Sequence, residues 1–329
     1  MGARDAIERF TFPPELTEGV RGKRVLITGA GRHGGMGEAF ALAAGLNGAA
    51  AVGVHYHSSA GEAHETVDLI NRAGGHAFPV QADVTNTSDC WSIRSYVIAK
   101  MGGLPPNLLI CNSGLAESGY MLGRPLKEID GETPSMRRSR ARQAFVDNLR
   151  ESTDVIHTKM DGFLYMTHLW AGEALHVKEP LQVVYISSRQ AVDPGPGVPG
   201  YVLANFGVLS LPRIVRTNLG KHADLVTAYS VAYPFVRTGM TEAYGDDARV
   251  YGRWQPRMLE THEAALALVQ LMARPARELD DHVFQLDVTA APEGTDGAIR
   301  ATWAEIELRP VHSPLAWSAA GPLVFSSRS

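Results

Sequence analysis

Short apolar runs alternate with amphipathic, helix-like stretches along most of this chain, and no other feature limits its fold as strongly. The runs typical of buried strands are residues 25–28, 51–54, 77–80, 108–111, 183–186 and 226–231. Continuous apolar strands separated by helices indicate a parallel sheet covered on both faces. The predicted fold class is therefore α/β, a single domain built on a doubly wound, Rossmann-like parallel sheet. Such a sheet binds its ligand at the carboxyl ends of the strands.

Charge and composition exclude several other classes of protein. The 329 residues include 31 Lys plus Arg and 35 Asp plus Glu, a net charge of -4, so no overall positive field attracts nucleic acid or anionic lipid. Cys90 and Cys111 form no C-x-x-C motif and are interpreted as small core residues. The N-terminus is charged where a signal peptide needs an apolar run, and no stretch reaches the ~18 apolar residues of a membrane span. We therefore expect a cytoplasmic protein with no nucleic-acid or membrane partner.

A glycine-rich loop, residues 28–37, follows the first predicted strand and opens a helical pattern. Glycine permits a tight turn and a close approach of the backbone to a pyrophosphate, and a helix N-terminus supplies N–H donors for the anion. The loop therefore predicts a dinucleotide site that is contacted by Gly29, Gly35, Met36 and Gly37.

The residues that end the second strand indicate which dinucleotide binds. An acidic residue there would bind a ribose 2′-hydroxyl and repel a 2′-phosphate, and this segment contains none. Arg32, Ser58 and Ser59 suit a 2′-phosphate instead, so NADPH (NADP+) is the expected cofactor, although Arg32 is alternatively a solvated loop cation. His55 and His57 fall on one face of the strand, but without a nearby third ligand they predict no metal site.

Ser188 closes the fifth apolar run, and Tyr201 follows it across a turn rich in proline and glycine. This pair resembles the catalytic Ser and Tyr of the short-chain dehydrogenase/reductase family, and the resemblance covers roughly residues 22–290. Other residues stand where that family contacts its cofactor, namely Asp83, Val84, Asn112, Gly114 and Thr238. The resemblance implies a Rossmann-like reductase domain over residues 22–290 and hydride transfer from a nicotinamide cofactor.

The chain departs from the family pattern at two positions. Four residues after Tyr201 the family usually has Lys, and this chain has Asn205. On the preceding long helix, three residues before Gly162, the family usually has Asn, and this chain has Lys159. The exchange resembles the ketoreductase domains of modular polyketide synthases and animal fatty acid synthases. A cation lowers the pKa of a phenol from any position that reaches its hydroxyl, so the exchange can preserve the chemistry.

The resulting hypothesis is a carbonyl reductase that acts on a bulky, partly apolar ketone, either polyketide-like or a 3-oxoacyl thioester that a carrier protein could present. Tyr201 is the general acid and Lys159 assists it, while Ser188 hydrogen-bonds the substrate oxygen and Asn205 orients the network or a proton-relay water. Two alternatives stay open. One is an epimerase, dehydratase or isomerase that uses bound NADP(H). The other is a non-catalytic nucleotide-sensing protein, whose Lys159 would point to solvent.

Four segments lie outside the regular alternation of strands and helices. They are an N-terminal extension (1–21), an inserted excursion before the long helix (115–153), a substrate lid (239–260) and a C-terminal tail (291–329). The lid is apolar and aromatic through Met240, Tyr244, Tyr251, Trp254 and Met258. Such side chains suit a bulky substrate and equally a core.

Two further expectations concern partners. The excursion contains a basic run, residues 136–142, which is interpreted as a solvated face or as a contact for an acidic carrier protein or a phosphorylated substrate arm. The resemblance implies a homodimer or homotetramer assembled through the helices that carry Lys159 and Tyr201.

Overall fold

The computed structural model describes residues 3–118, 127–291 and 298–308. The strands within these residues are β1 (Arg24–Ile27), β2 (Ala51–Tyr56), β3 (Ala77–Gln81), β4 (Leu108–Cys111), β5 (Leu181–Ser188), β6 (Val226–Tyr233), β7 (Val283–Ala290) and β8 (Ile299–Glu305). The α-helices are α1 (Ala3–Phe10), α2 (Met36–Gly45), α3 (Ala60–Arg72), α4 (Thr87–Ser92), α5 (Arg94–Lys100), α6 (Pro134–Val177), α7 (Pro199–Val208), α8 (Leu211–Leu219), α9 (Ala248–Tyr251), α10 (Thr261–Met272) and α11 (Ala276–Leu279). Each of the six predicted apolar runs overlaps one of the strands β1 to β6.

The strands of the described residues form one sheet in the order β3-β2-β1-β4-β5-β6-β7-β8. Strands β1 to β7 pair in parallel, and β8 pairs antiparallel with β7 at the edge. The chain winds in one direction from β1 to β3 and in the other from β4 onward, which confirms the predicted doubly wound class. The gap above β1 and β4 is the switch point where folds of this class bind ligands.

Helices cover both faces of the sheet, and each strand contributes side chains to both cores. In β1, Val25 and Ile27 belong to the core under α2 and α10, whereas Leu26 belongs to the core under α6. Successive side chains of a strand point to opposite faces. The inner strands are therefore mainly apolar along their length, and this is why they are visible in the sequence.

The structure differs from the predicted excursion, residues 115–153, because α6 already begins at Pro134. The hydroxyl of Thr133 caps this helix by accepting a hydrogen bond from the N–H of Met136 at 3.2 Å, and Pro134 occupies the first turn. No glycine or proline interrupts the next 27 residues, 135–161. Residues 134–153 of the excursion are thus the N-terminal part of a 44-residue helix.

Parts of the predicted N-terminal extension and C-terminal tail belong to the folded domain. The buried ring of Phe10 ends α1, and Asn47 donates to the Phe10 carbonyl at 2.7 Å. Strand β8 comes from the tail. The remaining residues of the excursion and tail, 119–126, 292–297 and 309–329, lie outside the described residues. Across the described ranges, no helix is both long and apolar enough to cross a membrane.

Candidate active site

A cavity of ≈ 360 Å³ opens at the carboxyl ends of the parallel strands, beside the switch point. Its size falls in the range of small-molecule sites. The predicted residues that line it are Gly29, Arg32, Gly35, Met36, Gly37, Asn112, Gly114, Lys159, Ser188, Tyr201 and Thr238. The predicted residues outside its lining are Ser58, Ser59, Asp83, Val84 and Asn205.

The glycine loop approaches its neighbours so closely that side chains would not fit. A Cβ atom on Gly37 would lie 2.2 Å from the carbonyl oxygen of Gly29, and one on Gly29 would lie 2.8 Å from the Cα of Ser113. Gly29 also has a φ of +65°, in the left-handed region. Gly35 is the N-cap residue of α2, which begins at Met36. The loop therefore brings bare backbone to a helix N-terminus, an arrangement that favours an anion.

Side chains from the two strands that flank β1 hold this loop. Asn112, directly after β4, donates from Nδ2 to the carbonyls of Thr28 and Gly29, both at 3.1 Å. At the end of β2, the Nδ1 of His55 accepts a hydrogen bond from the N–H of Gly29 at 3.2 Å. Burial lowers the pKa of His55 to about 4, so the neutral ring keeps this acceptor. The sequence alone gives no signal for this role of His55. Within the described residues, no cluster of three or more metal-ligating side chains occurs.

A cluster of carboxylates surrounds His33 beside the glycine loop. The ring lies 2.6 Å from Glu38 through Nδ1 and 2.9 Å from Glu65 through Nε2, and the backbone N–H donates to Glu62 at 2.5 Å. Burial disfavours the charged ring, but the hydrogen bonds to Glu65 and Glu38 outweigh it and raise the pKa of His33. Sequence reasoning missed this cluster because its carboxylates come from two different helices.

Arg32 lies at the cavity with an exposed side chain. Ser59 is the N-cap residue of α3, and a Cβ on Gly31 would lie 3.3 Å from the Ser59 carbonyl. Arg32 and Ser59 therefore belong to adjoining segments, and Ser58 is exposed beside Ser59. None of the three residues predicted for a 2′-phosphate carries a negative charge.

Asp83 and Val84 follow β3 and lie outside the cavity lining. Burial opposes ionisation of Asp83, but hydrogen bonds from the N–H and hydroxyl of Thr85 lower its pKa. Val84 packs under α6 at Gly162, where a Cβ would lie 2.7 Å from Val84 Cγ2. This contact fixes the position of α6 above Val84. It thereby also fixes Lys159, which lies one turn before Gly162 on the same helix.

Ser188 and Tyr201 reach the cavity from the end of β5 and the first turn of α7. The Ser188 Oγ accepts a hydrogen bond from the N–H of Gln190 at 3.2 Å. Burial raises the pKa of Tyr201, while the Ser188 hydroxyl acts in the opposite direction. The phenol is therefore protonated at neutral pH and available as a proton donor.

Lys159 enters the same cavity from α6, with only 6% of its surface exposed. The Nζ atom of Lys159 lies 5.0 Å from the centroid of the Phe163 ring. A Cβ atom on Gly114 would lie 3.9 Å from the same Nζ atom. Burial lowers the pKa of Lys159 to about 7. The non-catalytic alternative predicts that the Lys159 side chain points to solvent. In the structure this side chain is buried instead.

Asn205 does not join the other three predicted catalytic residues. It is fully buried at 0% exposure, and its Nδ2 donates to the carbonyl of Tyr201 within α7 at 2.9 Å. Its Oδ1 has no hydrogen-bond partner among the described residues. The side chain thus bonds to the backbone of its own helix and does not line the cavity.

Glu117 lines the cavity as well, and sequence reasoning missed it. It follows β4 in the loop that begins with Asn112, is 8% exposed, and contacts the first turn of α7. A single glutamate in a loop gives no sequence signal of such a contact.

The segment after β6 closes one side of the cavity. Thr238 donates its N–H to the hydroxyl of Thr241 at 2.9 Å, which stabilises a tight turn. Five residues of the predicted lid line the cavity, and the large side chains among them are Met240, Tyr244 and Trp254. Tyr251 and Met258 are buried in the protein instead. Asp193, in the turn before α7, accepts hydrogen bonds from Arg253 and the indole of Trp254 and so joins that turn to the lid.

The basic run lies outside the cavity lining. Arg140 pairs with Glu132 at 2.7 Å and Arg137 with Glu128 at 3.4 Å. Both ion pairs are local to the start of α6. Among the described residues, no member of this run contributes to the cavity.

Comparison with known proteins places the chain in a family. The family model for short chain dehydrogenases matches residues 23–249. The 3-oxoacyl-[acyl-carrier-protein] reductase FabG of Staphylococcus aureus is 24% identical over 227 residues, which cover 69% of this chain and 80% of that protein. A probable tetrahydroxynaphthalene reductase of Zymoseptoria tritici is 32% identical over 177 residues, 54% of this chain and 61% of that protein.

Solved structures agree in fold. A short chain dehydrogenase from Burkholderia cenocepacia, in complex with NADP, has a TM-score of 0.64 and 20% identity, and the match covers 82% of this chain and 97% of that one. A family model that matches most of the chain, together with the doubly wound sheet, shows that this protein belongs to the short-chain dehydrogenase/reductase family of oxidoreductases.

Proposed function

We propose that this protein is an NADPH-dependent ketoreductase. The observation that carries the proposal is that Tyr201, Ser188 and the buried Lys159 line one cavity beside a glycine loop. A proton donor, a hydrogen-bonding hydroxyl and a cation are what reduction of a carbonyl requires of the protein.

The residues around the glycine loop fit a dinucleotide. The space that a Cβ on Gly37 or Gly29 would fill is occupied by neighbouring backbone, so the loop presents N–H groups to an anion. Gly35, Met36 and Gly37 would hold the pyrophosphate, and Arg32 with Ser58 and Ser59 would receive a 2′-phosphate. Asp83 and Val84 would flank the adenine, while Asn112, Gly114 and Thr238 would border the nicotinamide side. Support for NADPH over NADH comes from Arg32 and from the absence of an acidic residue at the end of β2.

Bound NADPH would supply the hydride, and the residues of this chain would handle the proton. As negative charge develops on the substrate oxygen, Ser188 donates a hydrogen bond to it and Tyr201 transfers its proton. Burial holds the Tyr201 pKa high, which favours the protonated donor before reaction. Proton transfer leaves a phenolate, and a neighbouring ammonium stabilises that anion.

Lys159 is the cation in this proposal. It stands where the family usually has Asn, and Asn205 stands where the family usually has Lys. It reaches the cavity from α6, whereas Asn205 bonds to the backbone of its own helix. With a pKa of about 7, Lys159 is charged in a large fraction of molecules at neutral pH and gains further protonation when a negative group approaches. The exchange of Lys and Asn thus moves the cation without removing it.

The lining favours a bulky ketone. Met240, Tyr244 and Trp254 contribute apolar surface to the cavity that Tyr201 also lines, and Phe235 stacks on Trp254 with ring centroids 5.5 Å apart. Among its relatives, one is named for a 3-oxoacyl substrate on acyl carrier protein and another for tetrahydroxynaphthalene. We propose a substrate of these classes, an acyl thioester or a polyketide-like aromatic ketone.

The test is consumption of NADPH by purified protein with a panel of 3-oxoacyl thioesters and aromatic ketones. The Tyr201→Phe variant should lose about 10²- to 10⁴-fold in kcat, the usual contribution of general acid catalysis. Tyr96→Phe is the matched control, because Tyr96 is a half-exposed phenol outside the cavity. Full activity of Tyr201→Phe, or NADPH consumption with no member of the panel, would contradict the proposal.

A further inference from the structure

We infer that Glu117 is a positioning residue for Tyr201, which it serves by holding the first turn of α7. The inference rests on the proposed function, in which the Tyr201 hydroxyl donates the proton. Glu117 contacts the backbone of Tyr201 and takes no part in proton transfer.

The Glu117 carboxylate connects the loop after β4 to two helices. Its Oε2 accepts the N–H of Tyr201 at 2.6 Å, and its Oε1 accepts the N–H of Gly200 at 3.1 Å. Oε1 also accepts the hydroxyl of Ser152, from α6, at 2.5 Å. The first N–H groups of a helix have no partner within it, and the helix dipole favours a negative charge there. The carboxylate therefore supplies acceptors to the turn that carries the proposed general acid.

Burial couples the carboxylate to this turn. Glu117 is 8% exposed, and within the described part of the chain it pairs with N–H and O–H donors rather than with Lys or Arg. A buried carboxylate is unfavourable by several kcal/mol unless hydrogen bonds compensate. Displacing the first turn of α7 would break its hydrogen bonds to the Glu117 carboxylate. These bonds therefore hold the start of α7 in place.

Val198, the residue before α7, has a backbone conformation that its residue type disfavours. Val198 has φ +48° and ψ +52°, in the left-handed region, and it precedes Pro199. A β-branched residue is strained in that region, and a following proline disfavours it further. Such a conformation is unfavourable by about 1–3 kcal/mol and persists only where surrounding contacts fix it. The two backbone hydrogen bonds to Glu117, just after Pro199, are such contacts.

The same contacts set the distance between Tyr201 and Lys159. A Cβ on Gly200 would lie 2.5 Å from the Ser152 carbonyl, so α7 and α6 touch through their backbones at this point. Ser152 and Lys159 are seven residues apart on α6, which is about two turns and hence one face of the helix. Glu117 binds Ser152 and Tyr201 together, and so it fixes the proton donor relative to the cation.

The test is Glu117→Gln, with Glu151→Gln as the matched control. A glutamine keeps the shape but presents one acceptor atom, so its NH2 group faces at least one of the three donors. Glu151 is a neighbouring carboxylate that accepts from Ser118, in the same loop, and among the described residues it makes no hydrogen bond to α7. Both variants lose one negative charge from this region.

We expect Glu117→Gln to lower kcat for the best ketone by about 10- to 100-fold, the effect of a displacement near 1 Å in an active site. The KM for NADPH should change less than about twofold, because the glycine loop is untouched. Amide hydrogen exchange at Gly200 and Tyr201 should accelerate, and the solvent isotope effect on kcat should increase as proton transfer becomes slower. Glu151→Gln should leave all four quantities near the wild-type values.

The outcomes separate the inference from the proposed function. If Tyr201→Phe is inactive while Glu117→Gln keeps the wild-type kcat and exchange rates, the inference is wrong and the function stands. If Tyr201→Phe is fully active, the proposed function fails. If Glu117→Gln does not fold, Ser152→Ala decides, since it removes one donor to the carboxylate: faster exchange at Tyr201 with a lower kcat supports the inference, and unchanged values overturn it.

Discussion

Replacing Lys159 with methionine should make the protein more stable while it removes activity. The pKa of Lys159 falls from 10.5 to about 7 in the folded protein because the amine is buried. At 1.36 kcal/mol per pKa unit, the charged form is unfavourable by about 5 kcal/mol, or about 4 kcal/mol at pH 7 where half of the folded molecules are neutral. The contact with the Phe163 ring returns about 1 kcal/mol. Lys159→Met should therefore gain about 3 kcal/mol in the free energy of unfolding at pH 7.

The sign of the pH dependence distinguishes this reasoning from a packing effect. Between about pH 7 and about pH 10.5 the unfolded lysine binds a proton that the folded one has lost, so wild-type stability rises with pH over this interval. Lys159→Met lacks that rise, and its advantage should disappear toward pH 10. Urea denaturation between pH 7 and about pH 10 measures the free energy of unfolding of the wild type and of Lys159→Met. Lys100→Met is the control, since Lys100 is exposed with its Nζ 5.7 Å from the Tyr96 ring centroid. A Lys159→Met variant less stable than wild type at pH 7 would refute the reasoning.

Three further predictions concern the cofactor, the cation and the turn before α7. Arg32→Ala should raise the KM for NADPH by at least about tenfold and leave that for NADH nearly unchanged, because a charged hydrogen bond to the 2′-phosphate contributes about 1.5–3 kcal/mol; equal effects on both cofactors would contradict this. The kcat/KM for ketone reduction should fall as pH rises above about 7, where Lys159 loses its proton, and a profile flat to pH 9 would count against a cationic role. Val198→Gly should raise the free energy of unfolding by about 1 kcal/mol, because the relief of about 1–3 kcal/mol of backbone strain exceeds the entropic cost of ordering a glycine, about 0.5–1 kcal/mol. A lower free energy of unfolding for this variant, measured by urea denaturation, would refute the prediction.

The inner strands could be predicted from the sequence because burial on both faces leaves each of them a run of mainly apolar residues. Strand β7 was missed, since after Val283 and Phe284 its buried and less buried positions alternate. Strand β8 was missed because only some of its residues are even partly buried at the sheet edge. The start of α6 was also missed, although Thr133 followed by Pro134 is a recognisable helix-start signal.

The site was predictable where chemistry follows position in a strand or loop. The glycine loop, Asn112 and Ser188 all end up at the cavity because parallel strands bring their carboxyl ends to one edge. Glu117 was not predictable, since its partners Gly200 and Tyr201 lie 83 and 84 residues away in the chain. The direction of the Asn205 side chain depends on a bond to its own helix, which competes with any role in the cavity.

The most direct test of the central claim is the fate of deuterium from NADPH labelled at the transferable C4 position. After incubation with a ketone that the protein consumes, mass spectrometry of the product locates the label. The proposed ketoreductase predicts one deuterium on the carbinol carbon of the alcohol, formed in equal amount to NADP+, and formation of both products at least about 100-fold slower with Tyr201→Phe. A rearranged or dehydrated product without net loss of NADPH, or an alcohol without the label, would contradict the account.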